Sequence, residues 1–320
     1  MASDINQLAK KCGVSKATIS RVFTGRARVS DAIRARVLAA AREMNYRPQQ
    51  VMARDCVAII VGDNPTLSHV TGFGGLLLTS AFFEITRRHL LTEVLPVAEL
   101  SKLYDSYTRA VLVLLAEAQI EEHTHEFEQL PMPIVTVNKQ YPFSSSVNTD
   151  HGQGVTLALE HLFERGHRRI GLTVDRFENL AGRERVGAYR TFMEQHKLTA
   201  LPIAFFGGVG GPMEDFDRIL TEKPTALIVC GEAVALQASH ELKRRGLRIP
   251  EDISLITSEL SGICDWLNPA LTAINQDFDA LARETVAELV FRIHNPAAPR
   301  TNRRLPSSLV VRDSVATLPF

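Results

Sequence analysis

Ser15-Lys16-Ala17-Thr18-Ile19-Ser20-Arg21-Val22-Phe23, bracketed by Gly13 and Gly25, is the stretch whose reading decides the fold of this 320-residue chain. Ser15 can cap a helix whose inward positions are Ile19, Val22 and Phe23, and Gly25 closes it. Upstream, Ser3 caps a helix that carries Ile5, Leu8, Ala9 and Cys12 at i, i+3, i+4 and i+7, and Gly13 ends it. A turn of about three residues containing glycine joins the two, which is helix-turn-helix spacing. A third helix begins at Ser30, buries Ile33, Val37, Ala41 and Met44, and stops where Arg47-Pro48 breaks the pattern. Three short helices then share one small core.

On the second helix Lys16, Ala17, Ser20 and Arg21 face outward, with Thr18 on the flank. A helix that reads the major groove needs this layout, with side chains at base edges and hydroxyls or backbone amides on phosphates. Lys16 and Arg21 can each donate to guanine O6/N7, and Ala17 can meet a thymine methyl. Charge agrees once it is resolved along the chain. The total of 36 basic and 36 acidic residues gives zero, yet residues 1–55 hold eleven Lys/Arg against four acids, or +7, and the remainder is −7. A cationic module on an acidic body is the electrostatic footprint of phosphate-backbone binding.

With 45% hydrophobic residues the chain can bury the cores of two or three domains, so neither disorder nor a small stapled scaffold fits. No run approaches the roughly 18 apolar residues of a membrane helix. The opening Met1-Ala2-Ser3-Asp4-Ile5-Asn6-Gln7 has no secretory pattern, so a cytoplasmic protein is expected. Cys12, Cys56, Cys230 and Cys264 lie far apart and read as buried free thiols.

Gly13 to Phe23, followed by Gly25, Val29-Ser30 and Met44-Asn45-Tyr46-Arg47-Pro48, resembles the DNA-binding headpiece of the LacI/GalR repressors. The resemblance implies a homodimer on a pseudo-palindromic, double-stranded operator. It gives base reading to Lys16, Ala17 and Arg21, phosphate contacts to Ser15, Thr18 and Ser20, a backbone-side place to Arg28, and a DNA contact to Tyr46. It also implies a hinge helix that wedges a leucine into the minor groove. Here Pro48 to Asp55 leads straight into Cys56–Val61, and Asp55 holds the leucine position, where a carboxylate is repelled. Either Val51 or Met52 wedges from a shifted helix, or the hinge does not kink DNA.

Beyond residue 55, strand candidates at Cys56–Val61, Leu91–Val97, Ala110–Leu115, Ile134–Val137, Arg169–Val174, Ile203–Phe206, Ala226–Val229 and Ile253–Thr257 alternate with helical patterns. Such alternation predicts parallel sheets covered on both faces, and the number of strands predicts two lobes. Ligands in such folds sit at the carboxyl ends of the strands. Glu160-His161-Leu162, Gly166-His167-Arg168-Arg169-Ile170-Gly171, Arg183 to Tyr189, Arg248 to Ser254, Asn268 to Thr272 and Gln276-Asp277-Phe278 are similar to the same family's core. The expected fold is therefore a small all-α helix-turn-helix domain followed by an α/β two-lobe core, periplasmic binding protein-like and Rossmann-like. The domains are read as 1–48, a short hinge at 49–55, and a core at 56–320. Lobe 1 takes about 56–148 and 276–304, and lobe 2 about 149–275 and 305–320.

The resemblance places Arg185 where the family grips an effector's hydroxyls or carboxylate, although Ala188 replaces the usual glycine. Asn138 stands where sugar-responsive members often carry an acid. Gly231-Glu232 replaces the usual Asn-Asp, and Glu259 takes the acidic position beyond Ile253–Thr257. No aromatic matches the ring-stacking residue, because Gly207 to Gly211 fills that segment, so the pocket reads as remodelled and need not be a sugar site. Only about twelve residues separate the strand at Leu91 from that at Ala110, too few for a full crossover helix. Glu121, His125 and Glu128 at helical spacing read as a solvated acidic face, not a metal site. The glycine run lacks phosphate-loop spacing and reads as a loop. No cofactor or enzymatic chemistry is expected. The alternatives are a solute-binding protein of the same core fold, which lacks a headpiece, and a regulator with no small-molecule effector.

Overall fold

The computed structural model describes residues 5–24, 29–44, 46, 55–63, 72–105, 108–175, 177–205, 214–231, 234–259 and 262–319. The Ser3 cap, Gly25, residues 49–54 of the hinge and the glycine run 207–211 lie outside them. Helices α1 (Ile5–Cys12), α2 (Lys16–Thr24) and α3 (Asp31–Glu43) form the amino-terminal unit. Leu8, Ile19 and Val37 are fully buried at its centre, with Ala9, Cys12, Val22, Ala40 and Ala41 around them. Gly13 takes φ +59° beyond the end of α1, a conformation that glycine adopts without a Cβ clash. The Thr18 N–H donates to Ser15 Oγ at 3.0 Å, the cap that the sequence predicts, and the Ile33 N–H donates to Ser30 Oγ at 3.4 Å at the start of α3.

Two six-stranded sheets follow. The first runs in the order β11-β5-β4-β3-β1-β2, from β1 (Cys56–Val61), β2 (Leu91–Pro96), β3 (Thr108–Val113), β4 (Ile134–Val137), β5 (Ser145–Thr149) and β11 (Asn302–Leu305). All its pairings are parallel. Helices α4 (Phe73–Arg87) and α11 (Phe278–His294) pack Leu77, Ala81, Ile85, Leu281, Val286 and Leu289 on one face. Leu95, Val97, Leu103, Ile120 and Phe127 cover the other. The second sheet runs β12-β10-β9-β8-β6-β7, from β6 (Ile170–Val174), β7 (Ala204–Phe205), β8 (Ala226–Cys230), β9 (Ser254–Ser258), β10 (Thr272–Asn275) and β12 (Ser308–Val310). Only β12 is antiparallel, against β10. The helices of this half are α7 (His151–Glu164), α8 (Leu180–Gln195), α9 (Glu214–Thr221) and α10 (Val234–Arg244). Burial on both faces is why β1, β3, β6 and β8 read as near-continuous apolar runs. The chain passes between the sheets three times, after β5, after β10 and after β11.

Several elements differ from the sequence expectation. β5 and β10 are absent from the strand candidates. β5 carries Val147 as its single apolar residue, and it makes polar contacts to its neighbours instead. Asn148 Nδ2 donates to Asn302 Oδ1 at 2.7 Å, and Thr136 Oγ1 donates to the Ser145 carbonyl at 3.3 Å. The helix expected over residues 121–130 is two short ones, α5 (Glu117–Glu122) and α6 (Thr124–Gln129), broken at His123 with φ −112° and ψ 18°. Glu121 and His125 therefore do not share one helical face. The candidate Ile203–Phe206 reduces to Ala204–Phe205, with Phe206 outside the described residues. The cysteines are free, with Cys12, Cys230 and Cys264 buried, but Cys56 at the open start of β1 is only half-buried. Between β2 and β3 a 3-10 helix, Val97–Asp105, stands in for a full crossover helix. No described helix is long and apolar enough to cross a membrane.

Candidate functional site

Two surfaces carry chemistry, one on the amino-terminal unit and one between the sheets. On α2, Ser15, Lys16, Ala17 and Arg21 are exposed, while Thr18 and Ser20 are half-buried. Ser15 Oγ also lies 2.9 Å from Thr18 Oγ1, so the two hydroxyls and the first turn of α2 form one polar edge. Ile19 and Val22 hold the opposite side of the helix in the core, which turns Lys16, Ala17 and Arg21 to solvent together. Tyr46 packs its ring 5.8 Å from that of Phe23 and so steadies the end of α2. Lys11 pairs with Glu43 at 2.7 Å, tying α1 to α3. Arg28, Val51 and Met52 lie outside the described residues.

The second surface is a cavity of about 540 Å³, within the range of small-molecule sites. Leu114, Asn138, Asp175, Gly231, Glu259 and Gln276 line it, each just past the carboxyl end of β3, β4, β6, β8, β9 or β10. Both lobes thus aim their strand ends at one cleft, the geometry in which open parallel sheets bind ligands. The sequence reading brings four of its five effector residues here, Asn138, Arg185, Gly231 and Glu259. Glu232 lies outside the described residues.

Each of the four is already engaged. Asn138, at φ +54°, accepts from the Thr149 N–H at 2.7 Å and donates to Gln276 Oε1 at 3.4 Å. It ties the ends of β4, β5 and β10 together. The side chain of Arg185 is 9% exposed and pairs with Asp175 at 3.4 Å. Gly231 takes φ +154°, and a Cβ there would stand 2.9 Å from the Asp175 Cβ, so only glycine lets β8 approach β6 at this point. Glu259 accepts from Arg312 at 2.7 Å, so its charge is neutralised within its own lobe.

The cleft also holds Glu117, Lys139, His151, Asp175 and Gln276, none of which the sequence reading assigned to it. Glu117 Oε1 accepts the Leu180 N–H at 3.1 Å, a hydrogen bond from the first lobe to the amino end of α8 in the second. Burial lowers the pKa of His151 well below 6.5, and the nearby Arg185, Arg304 and Lys139 lower it further. The signal for His151 lay in its neighbour. Asp150 caps α7 by accepting the Gln153 N–H at 2.9 Å, which fixes His151 as the first residue of a helix aimed at the cleft. Recognising it required β5 to be seen as a strand.

Comparison with known proteins agrees with this architecture. Residues 4–49 match the model of bacterial regulatory proteins of the lacI family, and residues 159–315 match a periplasmic binding protein-like domain. The HTH-type transcriptional repressor PurR of Haemophilus influenzae (strain PittEE) is 29% identical, over 98% of this chain and 99% of that protein. The HTH-type transcriptional regulator AscG of Escherichia coli (strain K12) is 26% identical over 97% of each. The Lac repressor dimer bound to operator and the anti-inducer ONPF superposes with a TM-score of 0.76 at 21% identity, covering 99% of this chain and 100% of that one. The transcriptional regulator CelR in complex with cellobiose gives 0.70 at 23%, covering 98% and 99%. These structural likenesses establish the fold. With a lacI-type regulatory domain at the amino end and a periplasmic binding protein-like domain behind it, the chain has the two-part build of the LacI-type bacterial regulators.

Proposed function

We propose that this chain is a sequence-specific transcriptional repressor that binds operator DNA as a homodimer and is controlled by a small molecule held in the cleft. The observation that carries the reading is the pairing of two sites in one chain. One is a capped helix with Lys16, Ala17 and Arg21 turned outward. The other is a polar cavity where both sheets end. The division of labour follows the reading of 1–48 as the DNA-binding domain, 49–55 as the hinge and 56–320 as the core. Within the core, lobe 1 is about 56–148 and 276–304, and lobe 2 about 149–275 and 305–320. Lys16 and Arg21 donate to base edges, Ala17 supplies an apolar contact, and Ser15, Thr18 and Ser20 meet phosphates. Arg28, Tyr46, Val51 and Met52 complete the DNA side, and Asn138, Arg185, Gly231, Glu232 and Glu259 the effector side. No cofactor enters this scheme, and the working compartment is the cytoplasm.

Three chain crossings join the lobes, so a ligand that changes their relative angle changes the spacing of two headpieces in a dimer. That shifts the fraction of protein able to span both half-sites. The test selects DNA from a random pool with the purified protein and then screens metabolites for release or tightening of the selected site. The expected result is an inverted repeat with half-sites about 34–36 Å or a multiple apart, and a response to a discrete class of compound. Selection that yields no common sequence overturns the reading.

A further inference from the structure

His151 is the first residue of α7 and stands on the second-lobe wall of the cleft. It is 5% exposed, and its Nε2 is sealed from solvent with no hydrogen-bond partner among the described residues. Buried polar atoms in native structures are nearly always bonded, so an orphan at the wall of a ligand-sized cavity points to an absent partner. Arg185 of α8 and Lys139 beyond β4 line the same cavity, and with Arg304 of β11 they act electrostatically on the ring. The acids bonded to these cations are already committed. Arg304 bonds Asp150 at 3.0 Å and Glu184 at 2.8 Å, Glu184 also accepts the His151 backbone N–H at 3.3 Å, and Arg185 bonds Asp175 at 3.4 Å. Lys139 reaches back to the Val137 carbonyl at 3.4 Å. The remaining acids on this cavity are Glu117 and Glu121 of α5, Glu178 before α8, and Glu259, which is bonded to Arg312.

We propose that the ligand of this cleft is a small hydroxylated anion, carrying a carboxylate or phosphate that docks on the His151, Lys139 and Arg185 side and completes the hydrogen bonding of the imidazole. This rests on reading the cleft as the effector site. Lobe movement on ligand entry brings Nε2 within reach of the anion. Burial and the three cations favour the neutral ring of His151. An anion among them reverses the local field, and the ring takes a proton from solvent as the ligand binds. Affinity then rises as pH falls, whereas a neutral polyol takes hydrogen bonds from the cations but no charge attraction.

The experiment is calorimetry of the full chain with D-gluconate, D-glucuronate and D-glucose 6-phosphate against neutral D-glucose and D-xylose. It is run at two pH values about one unit either side of neutrality, in buffers of different ionisation enthalpy. The expected result is one anion binding at least about tenfold tighter than its neutral parent. Binding is accompanied by proton uptake, which His151→Asn removes while the thermal melting curve stays cooperative. The carboxylate and phosphate members separate the two sources of charge. A neutral sugar that binds as tightly as the acids, or anion binding without proton uptake in the unmodified protein, overturns the proposal and leaves the effector reading standing. Binding by no member of either series, together with no metabolite response at the selected DNA site, overturns both.

Discussion

Single residues decide how the cleft is charged. Glu259 and Arg312 have side chains only 8% and 10% exposed, so each holds the other's charge away from water. Removing Arg312 takes this cation from the buried Glu259, and Arg312→Ala is expected to lower unfolding stability by about 3–5 kcal/mol in urea titrations. Glu259→Gln with Arg312→Met should recover most of that loss. His151 gives a pH signature of its own. Its folded pKa lies below the ordinary 6.5, so the unfolded chain takes up a proton before the folded one does. The contribution of His151 to stability is intact above about pH 6.5 and is lost as pH falls from there towards the folded value. His151→Asn should flatten that acid-side decline in melting temperature. On α2, Lys16→Ala or Arg21→Ala should weaken the selected operator by about 1–3 kcal/mol with little change on random DNA. Equal losses on both DNAs would remove them from base reading. The exposure of Lys16, Ala17 and Arg21 was legible because helical period alone settles which side faces out. The importance of His151 was not, since it depends on groups from α8 and β11 that meet only in the fold.

At the scale of elements, the sequence was informative where composition and period coincide. β1, β3, β4, β6, β8 and β9 announce themselves as apolar runs, and α1 to α3 by caps and spacing. β5 fails that test because it carries one apolar residue and makes polar contacts to Thr136 and Asn302, which lie on neighbouring strands. The break at His123 was equally invisible, since Thr124 returns its hydroxyl to the Ile120 carbonyl at 3.1 Å and restarts the helix instead of extending it. Element contacts also make a prediction at Gly154. A Cβ there would stand 2.6 Å from Ile274 Cγ2 and 3.2 Å from Ser307, so α7 sits against β10 with no room between them. Gly154→Ala should destabilise the core by about 1–3 kcal/mol, read by thermal or urea unfolding. The headpiece should keep its helicity, because it shares no part of this contact.

Over the whole molecule, the net charge of zero divides into +7 on residues 1–55 and −7 on the rest. An acidic body repels the phosphate backbone and limits attachment away from the operator. Replacing the exposed Glu122, Glu128, Glu160 and Glu194 by Gln should raise affinity for random duplex in fluorescence anisotropy at low salt, with a smaller gain at high salt. An unchanged affinity would count against a screening role for the body. The last segment of the chain has a further consequence, one of timing. Residues 302–310 supply an edge strand to each sheet, β11 to the first and β12 to the second. Neither lobe is complete until that segment has left the ribosome, whereas the three-helix unit has its whole core by Tyr46. At ordinary rates of synthesis the interval is roughly ten to fifty seconds. For that time a nascent chain carries a finished DNA reader and no finished sensor.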